Sequence, residues 1–231
     1  AQAFVTACTK KLSVKEQPLP HSLDTLQVLS NKRFGYSPKT TLDTVQELYE
    51  AKYVSYPRSD CNYIPSSQLS DAPEILKMLA SFGLPAATKC NTQLKSRAWN
   101  AQKITAHHAL IPTLVQPKDL SETQSHISQL IAMQYLIQFL PPAEYDNLSF
   151  TIDVSGETFK GSGRICTEEG YRRVYQDDKS EEDGKDDVKA LPALTQGDIV
   201  LDNGYDVSEK KTKPPKPNTT RSLLSALAPL N

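Results

Sequence analysis

Residues 37–60 read SPKTTLDTVQELYEAKYVSYPRSD, and this stretch joins a helix to an extended segment. Its opening Ser-Pro pair is typical of a helix start, because serine caps the helix and proline at the first position costs no intrahelical hydrogen bond. Apolar residues then recur at intervals of three and four, which predicts an amphipathic helix over residues 38–51. The following residues are rich in β-formers, and Pro57 disfavours the helical conformation at Tyr56. The stretch therefore predicts a helix that leads to a tyrosine held on an extended chain.

The sequence on either side of this stretch differs in character. Residues 3–16 and 148–174 mix β-branched and apolar residues with polar ones, as strands or hairpins do, and residues 198–207 return to this alternation. Helical periodicity is found at about 70–82 and through 127–139, where a Pro-Pro pair stops it. Strands on both flanks of helices predict a multi-domain α+β fold, with a helical domain inserted into a mainly β domain.

The predicted domain bounds follow from these changes in character. Residues 1–29 and 140–209 are assigned to a discontinuous β-rich domain, and residues 30–139 to the helical domain that carries Tyr56. Residues 210–231 combine a basic, proline-rich linker with a short helix, which is interpreted as the start of a further domain. The acidic run at 177–189 lacks apolar periodicity, so we expect a solvated loop rather than a magnesium site.

Composition limits the classes of function. The chain has 231 residues, with 26 Lys+Arg against 27 Asp+Glu, and such near-neutrality argues at first sight against a nucleic-acid binder. The acidic run carries much of the negative charge, however, and leaves a mild basic surplus elsewhere. No apolar run approaches the roughly 18–20 residues that a membrane span needs. The 4 Cys are far apart, which favours reduced thiols in a cytoplasmic protein over a zinc site or a disulfide scaffold.

The cluster Tyr56-Pro57-Arg58-Ser59-Asp60 could carry chemistry. A tyrosine hydroxyl, with a pKa of about 10, needs a nearby cation or base to act as a nucleophile. In an extended chain Arg58 projects to the same side as Tyr56, and its guanidinium suits both a phenolate and phosphodiester oxygens. Asp60 could orient Arg58. The alternative is a strand-end tyrosine beside a surface Arg–Asp pair.

A second cluster, AHHALIPT at residues 106–113, contains adjacent histidines. Neighbouring side chains cannot both face one point on a regular helix, so one of His107 and His108 is expected to serve a given site. A histidine there could hydrogen-bond a phosphate oxygen or transfer a proton, whereas the alternative is a pair bonded to backbone carbonyls. His21 and His126 are not at a ligand-like spacing from the pair, so no metal site is predicted.

Taken together, the segments of the chain resemble the type IA DNA topoisomerases, most closely the bacterial topoisomerase III branch. The segments that carry the resemblance occur in the family's order and are PLPHSLDTLQ (18–27), TVQELYEAKYVSYPRSD (44–60), CNYIP (61–65), AHHALIPT (106–113) and KPPKPNTTRSLL (213–224). Two departures within the second segment are Lys52, where the family commonly has glycine, and Ser55, where it often has threonine.

The resemblance implies roles for particular residues. Tyr56 is implied as the nucleophile that forms a 5′-phosphotyrosine bond with single-stranded DNA, Arg58 as the arginine beside it, and His107 as the family's histidine. The implied supporting residues are Gln46, Glu50, Asp60 and His108, and the implied DNA contacts are Arg58, Lys103 and Trp99.

The resemblance also implies an architecture, a cofactor and partners. A helical domain with Tyr56 would be inserted into a β domain that acts as a hinged arm, as in the toroidal type IA enzymes. Family members begin with a domain that supplies ligands for Mg²⁺, and nothing like it precedes Ala1. The chain is therefore interpreted as a fragment that binds no metal itself and is inactive alone.

The implied whole enzyme would cleave and rejoin single-stranded DNA without ATP, allowing strand passage in relaxation or decatenation. Its partners would be single-stranded DNA and the missing N-terminal domain, in the bacterial cytoplasm at nucleoid or plasmid DNA, with no membrane. Two other classes stay open: a non-catalytic module that binds single-stranded DNA, and a structural or protein-interaction fragment.

Overall fold

The computed structural model of the protein describes residues 2–104, 106–175, 194–201, 204, 208, 209, 211, 212, 214, 217 and 219–227. The chain divides into two compact units. The sheet unit comprises Ala1–Lys15 and Pro142–Pro215, and the helical unit comprises Glu16–Pro141 and Lys216–Asn231. Helices together with an antiparallel sheet confirm the predicted α+β class.

The helical unit starts earlier in the chain than the predicted boundary at residue 30, because a helix lies where a β-rich segment was expected. Helix α1 spans Leu23–Phe34. The Ser22 side chain accepts a hydrogen bond from the Thr25 backbone N–H and the Thr25 side chain accepts from the Ser22 N–H, which caps the start of α1. Gly35, with φ of 72°, ends the helix in the left-handed conformation. Both capping signals are local features of the sequence.

The other helices lie close to their predicted positions. Helix α2 spans Pro38–Glu50, α3 spans Ala72–Ser81, and α4 spans Glu122–Leu136 with one further 3₁₀ turn at Ile137–Phe139. Helix α5 spans Thr220–Leu227, and the Thr219 hydroxyl accepts a hydrogen bond from the Ser222 N–H at 3.2 Å at its start. The core that joins α1, α2 and α4 consists of Leu26, Val45, Leu48, Val54, Leu110, Ile127, Leu130 and Ile131. No helix among the described residues has the length and apolar character that crossing a bilayer requires.

The sheet unit contains four described strands in the order β3-β2-β1-β4, and each neighbouring pair is antiparallel. The strands are β1 (Gln2–Lys15), β2 (Ala143–Val154), β3 (Glu157–Glu168) and β4 (Ile199–Leu201). The first segment is one long strand rather than a hairpin, and a 3₁₀ turn at Gly170–Tyr175 replaces an expected third strand. The acidic run at 177–189 lies outside the described residues.

A tight turn ends α2 and leads into the extended segment that contains Tyr56. Lys52 has φ of 64°, its N–H donates to the Tyr49 carbonyl at 2.8 Å, and the Tyr53 N–H donates to the Leu48 carbonyl at 2.8 Å. This pair of bonds is the Schellman motif, which requires a left-handed residue at the position of Lys52. The requirement explains why the resembled family commonly has glycine there.

We expect Lys52→Gly to stabilise the chain by about 0.5–1 kcal/mol. A left-handed backbone costs an ordinary residue about 1–2 kcal/mol, and glycine offsets part of this gain by its greater freedom in the unfolded state, about 0.5–1 kcal/mol. Urea unfolding of the chain measures the change. Lys52→Ala is the matched control, because it removes the same charge and keeps the strained backbone. Equal stability of the two variants would contradict the explanation.

His21 is a buried histidine at the approach to α1, with 5% of its surface exposed. Its Nδ1 lies 3.2 Å from the Thr25 hydroxyl, and its Nε2 has no hydrogen-bond partner among the described residues. Burial, and to a smaller extent the Arg33 charge, lowers the pKa of His21 from 6.5 to about 4. The folded chain therefore keeps His21 neutral at pH values where the unfolded chain protonates it.

This difference predicts a loss of stability in mild acid. Between pH 6.5 and about 4 the unfolded state binds one more proton at His21, so the free energy of unfolding falls as the pH falls through that window. The loss reaches about 3 kcal/mol at the lower end, since each pKa unit corresponds to about 1.4 kcal/mol. Urea unfolding at several pH values should show a flatter dependence for His21→Gln. Parallel curves for the two proteins would show that His21 does not cause the effect.

Candidate functional site

Two distant segments of the helical unit pair beside Tyr56. The Ser55 N–H donates to the Ile111 carbonyl at 3.0 Å, and the Thr113 N–H donates to the Tyr53 carbonyl at 3.1 Å. Val54 and Pro112 form an antiparallel bridge between these bonds. The segment that ends at Tyr56 is thus extended, as predicted, and it is fixed against the segment that follows the two histidines.

The Ser55 side chain strengthens this pairing. Its hydroxyl accepts a hydrogen bond from the Ile111 N–H at 3.0 Å and donates one to the Ala109 carbonyl at 3.0 Å. Together with the backbone bond, Ser55 holds the neighbouring segment at three points. A hydroxyl is what the joint needs, and threonine, the residue common in the resembled family, also supplies one.

We expect Ser55→Ala to lower the free energy of unfolding by about 1–3 kcal/mol and Ser55→Thr to restore most of it. Alanine leaves the N–H of the buried Ile111 without its partner, whereas the Ala109 carbonyl keeps its bond from His108 Nδ1. Urea unfolding of both variants measures the change. Equal stability of Ser55→Ala and the wild type would show that the joint does not depend on the hydroxyl.

Tyr56 lies between two aromatic rings. Its ring stacks on His107 with centroids 4.1 Å apart and an angle of 28°, and Tyr49 meets it edge-on at 5.7 Å and 88°. Tyr49 is 39% exposed, Tyr56 is half-buried, and His107 is exposed. The structure therefore brings together the predicted nucleophile and the first histidine of the pair, although the chain separates them widely.

Arg58 and Asp60 flank the buried residue Ser59. Ser59 is 1% exposed, its carbonyl accepts from the Leu23 N–H at 2.9 Å, and its hydroxyl accepts from the Cys61 N–H at 3.2 Å. Both charged neighbours are exposed, and no ion pair joins them within the part of the chain that the structure describes. The expected orientation of Arg58 by Asp60 is thus not seen, and the guanidinium stays open to an anion.

The two histidines differ in their surroundings. The His108 ring is half-buried and its Nδ1 donates to the Ala109 carbonyl at 2.8 Å, which leaves Nε2 as the acceptor of the neutral ring. His107 has its ring against Tyr56, and its carbonyl lies 3.5 Å from the Ser59 hydroxyl. Of the two histidines, only His107 contacts the Tyr56 ring among the described residues. This agrees with the expectation that two adjacent side chains do not both face one point.

The remaining predicted site residues have contacts of their own within the helical unit. Gln46 donates through Nε2 to the Glu50 carboxylate at 2.9 Å, on the helix that carries Tyr49. Lys103 is exposed, with Nζ 3.2 Å from the Tyr63 hydroxyl and 5.0 Å from the centre of that ring. Lysine cations and aromatic faces are both groups that contact nucleic-acid strands in other proteins.

Trp99 lies at the edge of the core. Its ring packs on the fully buried Phe139 with centroids 5.5 Å apart, and its indole N–H is buried without a partner among the described residues. The position favours a structural role over the DNA contact that the resemblance implied.

The described residues do not fit a magnesium ion. No group of three or more His, Cys, Asp or Glu side chains among them is arranged to hold a metal. The four cysteines are free, and burial raises the pKa of the Cys90 thiol to about 12. No thiol chemistry is therefore expected at Cys90.

Sequence reasoning missed three contributors to the site: Tyr49, the Ser55 hydroxyl and the buried Ser59. The apolar spacing of residues 38–51 gives Tyr49 no part in the site. A signal was available for Ser55, because the family's frequent threonine at that position points to a needed hydroxyl. Two partners of Ser59, the Leu23 N–H and the His107 carbonyl, could not be found from the sequence, since they are backbone atoms of other segments.

Comparison with known proteins gives consistent matches. The family model described as DNA topoisomerase matches residues 1–231. DNA topoisomerase 3 of Haemophilus influenzae is 38% identical over 215 residues, which cover 91% of this chain and 33% of the relative. DNA topoisomerase 3 of Bacillus subtilis is 32% identical over 240 residues, which cover 98% of this chain and 32% of the relative. The chain thus spans about one third of the length of these curated relatives.

A solved structure also matches. The full-length topoisomerase I of Thermotoga maritima aligns with a TM-score of 0.70 at 20% identity, over 99% of this chain and 38% of that protein. At this identity the match shows the fold alone, and it agrees with the predicted α+β architecture.

Proposed function

Because the chain belongs to the DNA topoisomerase family, we propose that it carries the nucleophile of a type IA enzyme of the topoisomerase III branch. Tyr56 cleaves single-stranded DNA and keeps the cut end as a 5′-phosphotyrosine. The observation that carries the proposal is the Tyr56 ring stacked on His107 at 4.1 Å, two residues from the exposed Arg58. A nucleophile, a proton-transfer group and a phosphate-binding cation thus belong to neighbouring segments.

The proposed reaction exchanges one phosphate ester for another. The Tyr56 hydroxyl gives up its proton as its oxygen attacks the phosphorus atom, the bond from phosphorus to the 3′ oxygen breaks, and the leaving oxygen takes up one proton as a 3′ hydroxyl. Reversal of the same steps rejoins the strand. The free energy of the phosphodiester is kept in the tyrosine ester, so resealing needs no ATP.

The neighbouring residues serve this exchange in different ways. Arg58 binds the non-bridging oxygens and stabilises the charge that develops there, for which its planar fork is suited. His107 hydrogen-bonds the phosphate or supplies the proton for the leaving oxygen. The supporting residues are Gln46, Glu50, Asp60 and His108, and Lys103 contacts the strand. Trp99 supports the segment that leads to Lys103.

Two further parts of the proposal concern the whole protein. Its Mg²⁺ would be held by residues outside this chain, in an N-terminal domain, because the described residues do not fit the ion. The sheet unit would act as the hinged arm whose movement admits another strand, in relaxation or decatenation. The protein would work in the bacterial cytoplasm at nucleoid or plasmid DNA.

The test is to locate the covalent bond. Full-length protein is incubated with a labelled single-stranded oligonucleotide, denatured to trap the adduct, digested and mapped by mass spectrometry. We expect the DNA on Tyr56. A link on any other side chain contradicts the proposal. Salt-sensitive binding without any adduct would instead favour the non-catalytic module for single-stranded DNA.

A further inference from the structure

The two faces of the sheet carry different chemistry, and a β-bulge in β1 decides which side chains of that strand lie on each face. The bulge lies between Val5 and Ala7. Val5 pairs with Ile152, whereas Ala7 pairs with Thr151, so the alternation of β1 side chains reverses at this point. One face beyond the bulge, here called the polar face, consists of Thr9, Lys11, Asn147, Ser149, Thr151, Lys160, Ser162 and Arg164.

These eight residues include three cations, Lys11, Lys160 and Arg164, and no carboxylate, and the nearest carboxylate on the same face of β2 is Asp153. Asp153, at the end of this face, accepts a hydrogen bond from the Gly156 N–H at 3.1 Å within the β2–β3 turn. Lys11 and Lys160 are exposed, and neither forms an ion pair within the described ranges. In a chain with a net charge of −1, an acid-free patch of this kind is a local feature and not a result of composition.

The opposite face shows the contrast. There Lys10 is paired with Asp146 at 2.6 Å, and Leu148, Phe150 and Ile165 are its apolar members. Lys10 and Lys11 are adjacent in sequence and differ only in the face on which they lie. Asp146, which neutralises Lys10, therefore lies on the opposite face of the sheet from the cations of the polar face.

Neighbouring side chains hold the polar face in place. Arg164 donates from Nε to the Asn147 amide oxygen at 2.9 Å and lies 5.0 Å from the centre of the Tyr145 ring. The hydroxyls of Thr9 and Ser149 are 2.6 Å apart. A shallow groove of about 500 Å³ opens over these residues. Fixed polar groups bind an extended ligand at a lower entropic cost than mobile ones.

We propose that the polar face binds the phosphate backbone of a single DNA strand, without reading its bases. Cations, hydroxyls and amides are the groups that contact phosphates and sugars in protein–DNA complexes. The patch is three strands wide, about 10 Å, and the five residues from Lys160 to Arg164 span about 13 Å, so it accommodates one phosphate chain. The inference rests on the proposed function and adds a second strand-binding surface, on the unit that does not carry the nucleophile.

The test is the salt dependence of binding by the full-length protein. Affinity for a long oligothymidine is measured by fluorescence anisotropy over a series of salt concentrations. The slope of log K against log salt is negative. Its magnitude decreases by about 0.7 for each phosphate of single-stranded DNA that a variant no longer neutralises. For Lys11→Ala combined with Lys160→Ala we therefore expect a slope whose magnitude is smaller by about 1.4. Because both lysines are exposed, we expect the double variant to fold normally, and circular dichroism checks this.

Lys10→Ala is the matched control, since it removes the same charge from the other face and should leave the slope unchanged. An unchanged slope in the double variant, or an equal reduction in the control, overturns the inference. The position of the covalent adduct on the wild-type protein tests the proposed function separately. The salt slope therefore tests only the polar face, and the adduct position tests only the assignment of Tyr56.

Discussion

Full-length protein with Tyr56→Phe should form no covalent DNA adduct while still binding single-stranded DNA. Phenylalanine keeps the ring that stacks on His107 at 4.1 Å and meets Tyr49 edge-on, so the packing of the site is retained. The change removes only the oxygen that would bond to phosphorus. Complete loss of cleavage without loss of binding is therefore expected, because His107 and Arg58 offer no equivalent nucleophile.

The measurement is the yield of trapped adduct with a labelled oligonucleotide, alongside a binding assay for the same DNA. Tyr36→Phe is the matched control. It removes a tyrosine hydroxyl from the same unit, one that lies 2.8 Å from His126, and it should leave the adduct yield intact. Adduct formation by Tyr56→Phe at the wild-type level would refute the assignment of the nucleophile.

The second large effect is expected for Arg58→Ala. Loss of a group that stabilises developing charge typically slows a reaction by about 100- to 1000-fold, and an exposed cation can contribute less, so we expect a decrease of about 10- to 1000-fold. Arg58 is exposed and forms no ion pair among the described residues. Its removal leaves no partner stranded and should change stability by less than about 0.5 kcal/mol. The loss of rate can therefore be attributed to the chemistry.

Single-turnover rates of adduct formation test this expectation. Arg58→Lys should fall between alanine and the wild type, because lysine keeps the charge and loses the planar fork. Arg97→Ala serves as the control, since Arg97 is an exposed arginine of the same unit, 3.4 Å from Glu16. Identical rates for Arg58→Ala and the wild type would assign Arg58 a purely structural role.

The sequence predicted most of the helices and misplaced the boundary between the units. Helix α2 was predicted because a Ser-Pro cap, apolar spacing and a following proline all agree within residues 37–60. Helix α1 was missed because its cap uses Thr25 in place of the usual Glu or Gln, and because two prolines precede it. The long strand β1 was anticipated as β structure, but its bulge was not, since nothing local marks where a partner strand changes register.

The candidate site could be predicted only in part. Neighbouring residues marked Tyr56, Arg58 and the histidine pair as candidates, and the choice of His107 over His108 came from the resemblance to the family. Their meeting depends on the pairing of Tyr53 and Ser55 with the segment that follows His107. The roles of Ser55 and Tyr49 depend on that pairing and were therefore not foreseen.

Local chemistry settles the helix Pro38–Glu50 and the extended chain at the tyrosine that follows it. Such features need only neighbours in the chain, because caps, side-chain spacing and proline act within a few residues. Tertiary pairing alone places His107 on the Tyr56 ring, sets Lys11 opposite Asn147, and buries Ser59. Hydrogen bonds between distant segments leave no local mark, so these features required the folded chain.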